Sequence, residues 1–141
     1  MSTRNILLLT AIIAGFTLFA TAQKQIKHVP VTSTSPASGE EMYKTYCAVC
    51  HGKDAKGAGP AAEALKTTPS NLTALSQKNG GKFPADRVAN TIRGDEALPA
   101  HGSKEMPIWG NVFWSMSQGH ASEVQMRVAN LTKYIESLQA K

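Results

Sequence analysis

The two cysteines of this 141-residue chain stand three apart and directly before a histidine, as Cys47-Ala48-Val49-Cys50-His51. Several chemistries use such a pair. A dithiol of the thioredoxin kind sits where a strand runs into a helix, and no strand alternation precedes Cys47. A structural zinc site needs four ligands. There is no second cysteine pair, and His28, His101 and His120 stand apart from one another. A disulfide across one turn closes a very small loop and adds little stability. Covalent haem attachment is the chemistry that uses every residue, and Cys-x-x-Cys-His is its signature. Two thiols on one turn reach the two vinyl groups on one porphyrin edge. The adjacent imidazole then meets the iron from the same side. Attachment also keeps a cofactor from being lost in an exported compartment.

The first residues read as an address. Arg4 supplies a positive start, Ile6 to Ala20 is apolar or small and uncharged, and Ala20-Thr21-Ala22 has the small-residue pattern of a cleavage site. Residues 1–22 are therefore expected to be a cleaved signal peptide, and the protein to be exported, periplasmic, with membrane association left open. The alternative is an uncleaved anchor, because the uncharged run from Asn5 to Gln23 lies at the short edge of the roughly 20 residues a spanning helix needs. No cysteine follows the apolar run, which argues against a lipoprotein. Without Arg4 the chain carries 14 basic against 10 acidic residues, a mild +4. The basic residues are scattered, with no arginine-rich arm and no basic stripe with interleaved aromatics, so nucleic-acid binding is not expected.

Elements must now hold the motif. Residues 23–38 are polar, with Thr32-Ser33-Thr34-Ser35-Pro36 at their centre, and read as a flexible leader or tether. The domain is expected over 39–141. Gly39 to Cys50 reads as a helix, capped by Ser38 or Gly39, with Glu40 and Glu41 at its positive end and Met42, Tyr43 and Tyr46 on its apolar face. Gly52 to Pro60 holds four glycines or prolines in nine residues and reads as a loop. A short helix is expected over 61–66, and another, capped by Asn71, over 72–77. Ala85, Val88, Ala89 and Ile92 fall at helical spacing after Pro84, with Gly94 as the stop. Asp95 to Ser117 holds four glycines or prolines without a sustained period and reads mainly as loop. Val124, Val128, Leu131, Ile135 and Leu138 mark the clearest helix. The fold class is all-α with long loops. Such loops need something to hold them, and with only 6 % aromatic residues the core needs a large buried cofactor.

With this motif near the start of an all-α domain, the chain resembles the class I cytochromes c, from about Gly39 to Leu138. Cys47-x-x-Cys50-His51-Gly52 ends the first helix. Gly57-Ala58-Gly59-Pro60 looks like the family's loop on the histidine side, in which a proline carbonyl accepts the bond from the histidine's other nitrogen. Met106-Pro107-Ile108-Trp109-Gly110 looks like the loop of the sixth, methionine ligand. Gly39 and Tyr43 match the first-helix half of a crossing whose partners are Leu131 and Tyr134. The resemblance implies helices and long loops wrapped around one covalently bound haem c, with iron held by His51 and Met106. The loop from Ala100 to Glu105 and the leader lie outside the family's basic pattern.

Met106 is favoured as distal ligand because it sits in a Pro/Gly-punctuated loop, far enough along the chain to return to the haem's other face. Met116 and His101 are the alternatives, and Met42 and Met126 read as helix packing. Trp109, Arg93 and Asn71 are candidate donors to the haem propionates. A six-coordinate iron has no open site, so the expected work is electron transfer rather than catalysis. The protein would serve as a periplasmic carrier or as the cytochrome subunit of a respiratory or dehydrogenase complex, with a redox donor and acceptor as partners. The alternative class is a haem enzyme or gas sensor with a labile distal ligand.

Overall fold

The computed structural model describes residues 31–95 and 106–140, and the elements among them are helical. Helix α1 spans Gly39–Met42, a π-helical turn Tyr43–Cys47 follows, and α2 spans Ala48–His51. Two 3₁₀ turns, Ala62–Ala64 and Leu72–Ala74, lead to α3 (Leu75–Lys78), α4 (Ala85–Arg93), α5 (Trp109–Met116) and α6 (Ala121–Ser137). The sequence-based expectation of an all-α fold therefore holds, and the export segment and His101, with the rest of residues 1–30 and 96–105, lie outside the described residues.

Helix α1 starts where Ser38 Oγ accepts from the Glu41 N–H at 3.1 Å, satisfying one of the donors a helix start leaves open. An i,i+4 pair, Lys44 to Glu40 at 2.6 Å, runs along its exposed side. The apolar side packs on α6. A Cβ added at Gly39 would stand 2.1 Å from the Asn130 carbonyl oxygen and 2.8 Å from Tyr134 Cβ. Only glycine permits that crossing. Tyr43 and Tyr134 fill the space beside it, their centroids 5.4 Å apart. Met42, Tyr43, Phe113, Val128 and Leu131 are the fully buried centre of the core.

Three departures from the sequence reading matter. The region read as loop from Asp95 to Ser117 contains α5, whose Trp109, Phe113 and Met116 face the core at helical spacing. Gly110 disguised it. That glycine serves packing, since a Cβ there would stand 2.5 Å from the Arg93 carbonyl oxygen. The first helix is not regular but widens into a π turn that ends on the motif's first cysteine. Finally, the compact unit begins at Thr32 rather than at Gly39, so the leader is no free tether over residues 32–38. Asn130 Nδ2 donates to the Pro36 carbonyl at 2.9 Å, and Thr34 is buried. The polar leader supplies oxygens that donors of the core require.

The other end of the domain is tied just as closely. Gln139 Nε2 donates to the Leu72 carbonyl at 2.7 Å, and its Oε1 accepts from the Ser76 N–H at 2.8 Å. The segment from Leu72 to Lys78 is thereby held against the end of α6.

Candidate functional site

The π turn and α2 carry the motif. Cys47 closes the turn, Cys50 lies one turn on, and His51 is the last residue of α2. Gly52, at φ +82°, turns the chain back across the helix end. The returning loop then satisfies three carbonyls in order. The Gly57 N–H donates to His51 O at 2.8 Å, Gly59 N–H to Cys50 O at 3.0 Å and Ala61 N–H to Val49 O at 2.9 Å. This close return explains a glycine at position 59, where a Cβ would stand 2.5 Å from Val49 O. Gly57 likewise leaves room for the Pro69 carbonyl, which a Cβ would meet at 2.2 Å, and its φ is +93°.

That contact draws residues 69 and 70 against His51. The His51 ring is 8 % exposed, and its Nδ1 lies 3.0 Å from the Ser70 carbonyl oxygen. A carbonyl can only accept, so Nδ1 carries a proton, and in the neutral ring the lone pair is then on Nε2, the tautomer an iron ligand needs. The bond expected of Pro60 thus falls to Ser70, and Pro60 itself is exposed.

Beside the motif lies a cavity of about 290 Å³. Tyr46, Cys47, Cys50 and His51 line it from the first helix, Met106 lines it from the segment ahead of α5, and Trp109 from the first residue of α5. Residues separated by 55 positions in the chain are thereby brought to one space. Tyr46 and Trp109 stack, with centroids 5.0 Å apart and planes 29° from parallel. Both cysteines are free and partly buried. Burial, reinforced by Cys50, pushes the Cys47 thiol up to about 12. A thiol so reluctant to ionise is a poor partner for thiol–disulfide exchange. No group of three or more His, Cys, Asp or Glu among the described residues can hold a metal ion, which leaves zinc without a ligand set there. Two thiols one turn apart, an imidazole with its lone pair on Nε2 and a thioether on the wall of one cavity are the donors haem c takes.

Other candidates stand elsewhere. Arg93 is engaged by Asp95 at 2.7 Å and by Asn90, and does not line the cavity. Asn71 caps the 3₁₀ turn, its Oδ1 accepting from the Thr73 N–H at 2.9 Å and the Thr73 hydroxyl at 2.8 Å, and it too is off the cavity wall. Of the three residues expected to face the propionates, Trp109 alone lines the cavity. Met116 lies 3.8 Å from the Tyr46 hydroxyl and packs behind the wall. Met42 is fully buried and Met126 is exposed. Tyr46 and the run from Thr67 to Ser70 are wall residues that sequence reasoning missed. Tyr46 was legible as an aromatic directly preceding the first cysteine, while nothing in the sequence distinguishes Thr67 to Ser70.

A family model described as cytochrome c oxidase, cbb3-type, subunit III matches residues 34–118. No curated protein and no solved structure matches the chain.

Proposed function

From the premise that the chain belongs to the family of cytochrome c oxidase, cbb3-type, subunit III, and is thus a c-type cytochrome that transfers electrons, we propose that it carries one haem c, bound through Cys47 and Cys50, with iron held between His51 and Met106. The observation that supports this most is that His51 and Met106 line one cavity. The haem, when bound, supplies one-electron exchange between Fe(III) and Fe(II). The protein's residues set its terms. The Ser70 carbonyl fixes the His51 ring and raises its basicity. The Met106 thioether favours the ferrous state relative to a second imidazole. With His51 and Met106 both holding iron, no position would be open to oxygen or peroxide, and no acid or base would be required of the chain. The proposed setting is an exported, periplasmic one, with the protein as carrier or as the cytochrome subunit of a membrane oxidase complex between a redox donor and acceptor. Among the described residues no helix is long and apolar enough to cross a membrane.

Met106→Ala in the haem-loaded protein tests the ligand. It should abolish the absorption band of methionine-bound ferric iron, lower the reduction potential and let carbon monoxide bind ferrous iron. Met116→Ala should keep the band and keep carbon monoxide off the iron, because Met116 lies behind the wall, against the Tyr46 hydroxyl. Loss of the band in Met116→Ala alone would place the ligand in α5. If His101→Ala opens the iron instead, the ligation is bis-histidine. Ready binding of carbon monoxide by the unaltered ferrous protein at neutral pH would support a sensor or enzyme.

A further inference from the structure

Arg127 lies in the middle of α6 and is 2 % exposed, yet no step of electron transfer calls for it. A guanidinium stays charged, so its burial demands partners. Glu123 Oε1 accepts from Arg127 Nη2 at 2.8 Å and from Nε at 3.1 Å. Phe113 offers its ring face, 5.9 Å from the guanidinium carbon. On the other side Nη1 donates to Thr34 Oγ1 at 3.2 Å and faces Met42 Sδ at 3.9 Å. The direction of the remaining bonds follows from donor inventory. The Tyr46 hydroxyl lies 2.6 Å from the Thr32 carbonyl, which can only accept, so Tyr46 donates there. The hydroxyl of Thr34, 2.9 Å from Tyr46 Oη, must then donate to it. A one-way relay therefore runs from Arg127 through Thr34 and Tyr46 to the Thr32 carbonyl. Its side chains are all buried, Thr34 and Tyr46 at 6 % exposure each. Its last side chain, Tyr46, lines the cavity and stacks on Trp109, three positions beyond Met106.

We infer that Thr34 and Arg127 are positioning residues of the haem pocket: by fixing the Tyr46 ring they fix Trp109 and the wall that Met106 enters. The segment ahead of the first helix is then part of the pocket, and it sets how rigidly that wall is held. The inference rests on the cavity being the haem site and not on which residue is the distal ligand. Thr34→Val in the full haem-loaded protein keeps the shape and removes the hydroxyl, whereas Thr34→Ser keeps the hydroxyl. The valine variant should speed amide hydrogen exchange in α5 by about tenfold relative to α6, the scale of one lost hydrogen bond, and should shift the reduction potential. The serine variant should restore both. Tyr46→Phe should reproduce the valine variant, and the double variant should add little to either. Covalent haem missing from the unaltered protein would overturn the reading of the site. Haem-loaded Thr34→Val with unchanged potential and no selective change in α5 would overturn this inference, as would full additivity with Tyr46→Phe. Should the valine variant fail to take up haem, Tyr46→Phe with wild-type potential and wild-type α5 exchange would overturn it equally.

Discussion

His51 shows how much of the chemistry depends on a single carbonyl. Its Nδ1–H is taken by Ser70 at 3.0 Å, which orients the ring and leaves Nε2 for the proposed iron ligation. The resemblance to class I cytochromes c pointed to Pro60 for this task, as the end of the Gly57-Ala58-Gly59-Pro60 loop. The actual partner comes 19 residues on, through the approach of Pro69 to Gly57, and no local pattern announces that approach. Arg127 was equally hidden: a basic residue on an amphipathic helix reads as exposed, but its donors meet Glu123, Thr34 and an aromatic face. Those contacts have a consequence in acid. Arg127 holds the Glu123 carboxyl below the usual carboxylate range. Because the folded-state pKa is the lower one, unfolding takes up a proton in acid. The stabilisation is full above the ordinary carboxylate pKa and is lost as pH falls through the lowered value. Melting temperature measured against pH should therefore drop in that window. Glu123→Gln should lower the melting temperature at neutral pH and flatten the acid limb. Parallel curves for the two proteins would show that the pair contributes nothing.

At the level of elements, the crossing of α1 over α6 determines whether the domain closes. Alanine is the better helix former by up to about 1 kcal/mol. At Gly39 that preference is opposed by backbone, since a Cβ would meet Asn130 O at 2.1 Å. Gly39→Ala should destabilise the protein by roughly 1–3 kcal/mol, the usual range for overpacking, measured as a shift in denaturation midpoint. A stabilised variant would mean that the helices are spaced more widely. This crossing was legible in the sequence, because Gly39 and Tyr43 on one helix and Leu131 and Tyr134 on the other keep helical spacing. Helix α5 was not, because Gly110 interrupts its pattern for the sake of contact with Arg93. Nor was the π turn at Tyr43–Cys47, whose residues are ordinary helix residues. Such single-turn widenings recur at functional sites, and this one adjoins the attachment motif.

For the molecule as a whole, the fold is a device for bringing distant residues to one cavity. Cys47, Cys50 and His51 arrive from the first helix, Met106 from the segment ahead of α5 and Trp109 from α5 itself, while α6 and the segment from Thr32 to Ser38 brace the wall from behind. The motif and the fold class were legible in the sequence; the brace was not, since a polar leader looks the same whether it is free or docked. Membership of a c-type cytochrome family gives this arrangement its chemistry. The central claim is that one haem is joined covalently to Cys47 and Cys50. Intact mass of the denatured protein, produced in cells that carry haem-attachment machinery, tests it most directly. The expected mass is that of the chain plus one haem, and that of the chain alone when both cysteines are replaced by serine. An iron-free chain lighter by two hydrogens, the mark of a Cys47–Cys50 disulfide, would contradict it.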